Sequence, residues 1–249
     1  MKTLAIYSNK GGVGKTAAAV NLAYLAAEAG LNTLICDLDP QSSTSYYFRI
    51  KPKLKRKARG LTKGGKPLDN SIKGTDFENL DLLPADFSHR NLDIVFHRFK
   101  RPHKRLNKII MSLQDDYDLI ILDSPPAINI LAENIFHAAD VVLVPLIPTI
   151  LSERTHRQLL AFLQKKKFDV KKIYTFISMA DRRKKLHREL SESLRTTFDR
   201  FLTSAIPYAS DVEKMGLERQ PVISFAPRSP ATISYQQLWA ELHQLLHSN

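Results

Sequence analysis

The chain has 249 residues, 43% of them hydrophobic, enough for one large α/β domain with a substantial core. Its 37 Lys and Arg against 25 Asp and Glu leave a net charge of +12 and a pI near 9.7, which points to a polyanionic partner, either nucleic acid or an anionic membrane surface. No apolar run reaches the roughly 18 residues of a membrane span, the N-terminal apolar stretch is too short for a signal peptide, and the single Cys36 excludes an internal disulfide and fits a reducing cytoplasm.

Residues 3–8, TLAIYS, form a β-rich run that ends at a glycine-rich loop. GKTAAAVNLAYLAAEAG, rich in Ala and Leu, reads as a helix stopped by Gly30. NTLICDLD (32–39) is a second buried strand ended by Pro40, with Cys36 as a small core residue. Strand, loop, helix and strand in this order make a βαβ unit with a parallel pair. Strands follow at 79–85, 117–126, 140–146 and 172–180, with a shorter one at 203–209. Helical patterns lie near 88–99, 102–113, 128–138, 151–166, 186–202 and 230–247. The alternation predicts a doubly wound, mostly parallel sheet with helices on both faces, in a single domain over 1–249. Residues 49–73 interrupt it with ten Lys or Arg and one Asp. That composition cannot bury a core and is expected to form a mobile loop.

The first loop stands where phosphate chemistry needs it. In SNKGGVGKTA (8–17), backbone N–H groups and the following helix N-terminus form an anion nest, and the glycines let the backbone approach phosphate oxygens. Lys15 would reach the β- and γ-phosphates, and the Thr16 hydroxyl would ligate Mg²⁺. LIILDSPP puts Asp123 at the end of an apolar strand, where a carboxylate can hold the metal's shell, and LICDLDPQ brings Asp37 and Asp39 to the same edge. Ligands of parallel sheets bind at the carboxyl ends of the strands, so the three motifs converge there.

KGGVGKT, DLDPQ and DYDLIILDSPP, with VVLVPLIPT, RRKKLHRELSESLR and the tail GLERQPVISFAPRSPATISYQQLWAEL, together resemble the deviant Walker-box ATPases of the ParA/Soj branch of the ParA/MinD superfamily. The resemblance implies a P-loop NTPase fold that binds ATP and Mg²⁺, closes into a nucleotide-sandwich homodimer and binds DNA without sequence preference. It implies slow hydrolysis until a ParB-like or cargo-adaptor protein stimulates it, and a cytoplasmic, nucleoid-associated protein that positions a plasmid, a chromosome locus or a protein assembly. The chain begins directly at the first strand and so resembles short members without an N-terminal helix-turn-helix.

Carried over by position, Lys10 is the signature lysine that crosses the dimer interface to the partner's nucleotide. Gly11, Gly12, Val13, Gly14, Lys15, Thr16 and Ala17 cradle the phosphates. Thr16 and Asp123 surround Mg²⁺, Asp37 supports it through its water shell, and Asp39 positions the attacking water. Pro207 falls at the adenine, with Met179 and Asp181 near the base; the family usually reads IPRN where this chain has IPYA. Asn9, in place of the usual first glycine, marks the deviant class. A lysine supplied by a second subunit makes stabilisation of the transferring phosphoryl group conditional on dimerisation.

Positive charge clusters at 51–66, at Arg98 to Lys108, and at 181–190 with Lys165–Lys167 nearby in sequence. The resemblance implies DNA contact through Arg182, Arg183, Lys184, Lys185 and Arg188, and through Lys214 and Arg219. Phe99 is the single aromatic residue in these runs, and none interleaves aromatics as a base-stacking platform would, so phosphate contact is the expected mode. The stretch 49–73 is more basic than the family's connection and reads either as an added DNA or partner contact gated by nucleotide or as a spacer with no function.

Three rival readings fit the residues less well. A MinD-like membrane-surface ATPase would dock through YQQLWAELHQLLHSN, but the polar face of that stripe carries Glu241 and histidines and no Lys or Arg, which fits a core helix better. A reductase resembling nitrogenase iron protein needs paired cysteines that Cys36 alone cannot supply. A non-catalytic DNA-binding protein would have no use for an intact Lys15, Thr16, Asp39 and Asp123.

Overall fold

Alternating side chains along the apolar strands assign each residue to one of two helix layers. The computed structural model describes residues 1–51, 62 and 65–248. Among them, eight strands form one sheet in the order β3-β4-β2-β5-β1-β6-β7-β8. The strands are β1 (Lys2–Ile6), β2 (Thr33–Asp37), β3 (Lys73–Gly74), β4 (Leu80–Leu83), β5 (Leu119–Asp123), β6 (Val141–Leu146), β7 (Ile173–Ala180) and β8 (Phe201–Pro207). Every pairing is parallel except β3 with β4, so the expected doubly wound fold is what the chain adopts. β1 lies between β5 and β6, the point at which the winding reverses and at which such sheets bind ligands.

Leu4, Ile6, Ile35, Leu119, Ile121 and Leu143 face one layer, built on α1 (Lys15–Glu28), which lies beneath the sheet with the last helix of the chain. Their neighbours Ala5, Leu34, Cys36, Ile120, Leu122 and Val142 face the other. That second layer contains α4 (Leu92–His97), α5 (Arg105–Met111), α6 (Ile130–Ala138) and α7 (Ile150–Lys165). Two more helices precede these in the chain, α2 (Ser43–Tyr47) and α3 (Lys66–Asp69). After β7 come α8 (Lys185–Thr197), α9 (Ser210–Glu218), α10 (Val222–Phe225) and α11 (Pro230–Ser248).

Several expectations change. The helix expected over 186–202 ends at Thr197, because Leu202, Ser204 and Ile206 alternate inward and start β8. The patterns near 88–99 and 102–113 each open with a 3₁₀ turn, Phe87–Asn91 and Pro102–Lys104, before the α-helix begins. α2, α9 and α10 carry no periodicity long enough to read. Within the stretch 49–73, residues 52–61, 63 and 64 lie outside the described residues. Its end is ordered, since Leu68 of α3 is fully buried in the second layer and Lys73–Gly74 form β3.

The stripe of α11 does not stay free. Leu238, Trp239, Leu242 and Leu246 are buried against the first layer. Its polar face closes the sheet: the Glu241 carboxylate accepts the Thr203 and Ser204 N–H groups, both at 2.8 Å, and the Ser204 hydroxyl. From α8, Arg195 donates to the Thr203 carbonyl at 2.7 Å. No helix of the described residues is long and apolar enough to cross a membrane.

Glu241→Ala would leave the buried Ser204 without its acceptor. Urea unfolding should show a loss of about 1–3 kcal/mol, with a smaller loss for Glu241→Gln, which keeps one acceptor oxygen.

Candidate active site

The loop between β1 and α1 takes its shape from two glycines and from a clamp on β7. Gly12 and Gly14 lie at φ +69° and +86°, the left-handed region that side chains rarely adopt. A Cβ on Gly14 would also come within 2.9 Å of the Ser178 hydroxyl, which donates to the Val13 carbonyl at 2.8 Å. α1 then begins with no side-chain cap and no acid in its first turn, which leaves its leading N–H groups for an anion.

Lys15 is 7% exposed and folds back over the loop, its Nζ donating to the Lys10 carbonyl at 3.2 Å. Burial pulls its ammonium below the usual lysine range, while Asp123 and Asp39 oppose the shift. Lys10 turns the other way. Its Nζ lies 3.2 Å from the Ser152 hydroxyl, which shares a 2.8 Å hydrogen bond with Thr149, the residue capping α7.

Asp37 and Asp123 end adjacent strands in register and are both fully buried. Burial, with the neighbouring Asp123 adding repulsion, pushes the Asp37 carboxyl up to about 7. Burial likewise raises Asp123 to about 6, against the pull of Thr44, Thr16 and Lys15. α2 holds both acids. The Thr44 hydroxyl donates to Asp123 Oδ2 at 2.7 Å, and the Ser45 N–H and hydroxyl donate to Asp37 Oδ2 at 2.9 and 2.7 Å. Among the described residues, Asp123 Oδ1 is buried with no hydrogen-bond partner. An orphaned acceptor oxygen beside Thr16 and an uncapped helix suits a hydrated divalent cation with phosphate. Asp39 is half-buried, its N–H directed to Asp37 Oδ1 at 3.3 Å.

The expected adenine residues also meet at this edge. Ala180 pairs with Pro207, the Tyr208 N–H donates to the Ala180 carbonyl at 3.0 Å, and Met179 sits at φ 55°. The Asp181 carboxylate is already engaged by both branches of Arg183, at 2.9 and 3.0 Å, which holds it down to about 2. A cavity of about 690 Å³ beside Asp181 runs between α8 and α11 and contains none of the loop residues, whereas the anion nest and the orphaned carboxylate lie together at the loop.

Arg182, Arg183, Lys184, Lys185 and Arg188 are exposed together at the start of α8, beyond β7. Among the described residues, the hydrogen bonds and ion pairs of Lys214 and Arg219 go elsewhere and do not join them to this group. Lys214 pairs with Asp211 on α9, while Arg219 donates to the Tyr46 carbonyl at 3.1 Å and stacks over the Tyr46 ring at 4.5 Å. Sequence reasoning missed Thr44, Ser45, Ser152 and Ser178. For the first two, a run of hydroxyls directly after DLDPQ was the available signal.

Residues 1–176 match the model of a protein family described as an AAA domain. The chromosome-partitioning ATPase Soj of Treponema pallidum is 31% identical over 253 residues, covering 97% of this chain and 96% of its own. A putative plasmid partition protein from Borrelia burgdorferi, solved bound to AMPPNP, superposes with a TM-score of 0.81 at 24% identity, covering 98% of each chain. Cobyrinic acid a,c-diamide synthase from Mycobacterium smegmatis, solved with ADP and magnesium, gives 0.81 at 23% identity, covering 98% of this chain and 94% of its own.

The buried acids make a pH test. Both carboxyls are raised above the 3.8 of a free aspartate, so the folded chain holds protons that the unfolded chain releases. Their contribution to stability is full below about pH 4 and is lost as pH rises through about 6 to 7. In buffer without divalent cations, Asp37→Asn should flatten this fall and raise Tm above pH 7; a Tm below that of wild type there would refute the account.

Proposed function

Because the chain belongs to the ParA/Soj-type family of deviant Walker-box ATPases, we propose that it is a Mg²⁺-dependent ATPase working as a dimerising switch on DNA. In this reading one P-loop domain over 1–249 binds ATP, pairs with a second copy, coats duplex DNA without sequence preference and positions a cargo. The observation that carries it is the meeting, at one sheet edge, of an uncapped glycine-rich helix start with the orphaned Asp123 oxygen.

When bound, ATP with Mg²⁺ supplies the transferable phosphoryl group and the ion that neutralises its charge. The loop from Gly11 to Ala17 offers N–H donors to the phosphates, and Lys15 adds a cation that its own burial has already desolvated. Thr16 and Asp123 would hold the metal, with Asp37 supporting it through its water shell. Asp39, half-exposed at the mouth, orients the attacking water and takes its proton. Met179, Asp181 and Pro207 line the base.

The dimer reading draws on Lys10. Its ammonium rests on the hydroxyl of Ser152 at the opening of α7, beside Ile150 and Leu151, which are 65% and 67% exposed. A half-buried lysine held by one hydroxyl next to exposed apolar side chains suits a second copy of the same face. Phosphate contacts are assigned to Arg182, Arg183, Lys184, Lys185, Arg188, Lys214 and Arg219, which would associate the protein with the nucleoid. A separate ParB-like or cargo-adaptor protein would trigger hydrolysis. A MinD-like membrane role finds no support in α11, whose apolar stripe is occupied by the core.

Single-site variants separate these roles. Lys15→Ala should lose nucleotide binding in a fluorescent-ATP titration. Asp39→Ala should keep an ATP-dependent dimer on duplex DNA while phosphate release falls by about 10²-fold or more. Lys10→Ala should lower dimer formation in sedimentation and DNA-stimulated turnover together; full turnover by that variant would sink the assignment across the interface.

A further inference from the structure

We propose that the protein carries a second basic surface, at the amino edge of the sheet, that takes the phosphate backbone of a duplex DNA. In a parallel α/β sheet the helices run opposite to the strands, so the end of α7 lies at the pole away from the phosphate loop. There Lys166, just past α7, meets the 3₁₀ turn Pro102–Lys104, which precedes α5. Two basic runs more than fifty positions apart in sequence thus meet in one place.

They meet around a single acid. Glu133 of α6, whose side chain is 14% exposed, accepts from Lys166 at 3.0 Å and pairs with His103 at 2.7 Å. Arg101, His103, Lys104, His137 and Lys166 line a cavity of about 420 Å³ around it. Among the described residues Glu133 is the one carboxylate lining that cavity, and it is already engaged. Arg101 and Lys104 are exposed and have no ion-pair partner among the described residues. The local potential is positive: His137 is held below the ordinary imidazole range by burial first and then by the charges of Lys104 and His103. Placing anions here offsets that potential.

The kind of anion follows from the shape. A small phosphate would need buried donors converging on one point, whereas these cations are exposed and belong to a longer basic stretch of chain in which Arg98, Lys100 and Lys108 are exposed too. A long, regularly charged backbone that gains by counterion release fits such a stretch. The surface is separate from Arg182 to Arg188, which open α8 at the opposite edge of the sheet. One molecule could therefore hold two duplexes, one at each pole.

This rests on the reading of the protein as a DNA binder, and the test separates the two. Arg101→Gln/Lys104→Gln leaves both partners of Glu133 in place, and Arg101→Gln/Lys104→Gln/Lys166→Gln extends it; unchanged circular dichroism melts confirm folding. With ATP and Mg²⁺, titration of a short duplex between about 50 and about 200 mM salt should show the log–log slope reduced by about 0.9 for each phosphate that the variant no longer neutralises. Wild type should also join two differently labelled duplexes, and the variants should hold one. Wild-type binding with slope and joining unchanged in both variants overturns this inference alone. No duplex binding by wild type overturns the DNA reading as well. Arg101- and Lys104-dependent pelleting with phosphatidylglycerol vesicles, with duplex binding unaltered, overturns it in favour of a membrane surface.

Discussion

Two carboxylates, Asp37 and Asp123, lie buried side by side at the ends of adjacent parallel strands, and the surrounding site is arranged around that cost. Burying an ionised acid is expensive unless it is hydrogen-bonded, paired or protonated, and two acids in register repel each other as well. The chain meets this with hydroxyls and with one buried ammonium. α2 brings Thr44 and Ser45 to the two acids, and Lys15 balances their charge from the start of α1. One oxygen of Asp123 is left unpaired. The arrangement is therefore incomplete by itself, in a way that a cation with phosphate would complete.

The same hydroxyl clamp ties distant parts together. α2 donates to both acids, and its own Tyr46 carries the Arg219 guanidinium on its carbonyl and ring. Any change in how Asp37 and Asp123 are held reaches α2 first, and through it a residue proposed to touch DNA. On the other side of the loop, Ser178 fixes Val13, and Ser152 receives Lys10. The loop is thus suspended between β7 and α7, and its two lysines point to different places because different oxygens receive them.

Much of this could be read from the chain. The βαβ unit, the loop and the acids at strand ends depend on local pattern: apolar runs, glycines at the turn, and a carboxylate where an apolar strand stops. The failures share a cause. Thr44 reaches Asp123 across 79 positions and Ser45 reaches back eight to Asp37, so their role is set by tertiary contact and leaves only a polar, hydroxyl-rich run in sequence. The helix expected through residue 202 overran because charged and apolar residues continue past Thr197, while the strand that follows shows itself only by its inward Leu202, Ser204 and Ile206. The basic runs were visible one by one. That Arg101 and Lys166 share a cavity around Glu133 could not be read, because the pairing depends on how α6 and α7 pack.

Edge strands are the usual liability of an open sheet, since their unpaired backbone groups invite a strand from another chain. At one margin here the edge strand is the two-residue Lys73–Gly74, too short and too basic to act as a template. At the other, Glu241 and Arg195 take the donors and acceptors that a ninth strand would require. Lateral growth of the sheet is stoppered at both ends. For the self-association proposed above, this leaves loops and helix faces, not strand edges, as the surfaces on which two copies would meet, the geometry that a reversible clamp requires.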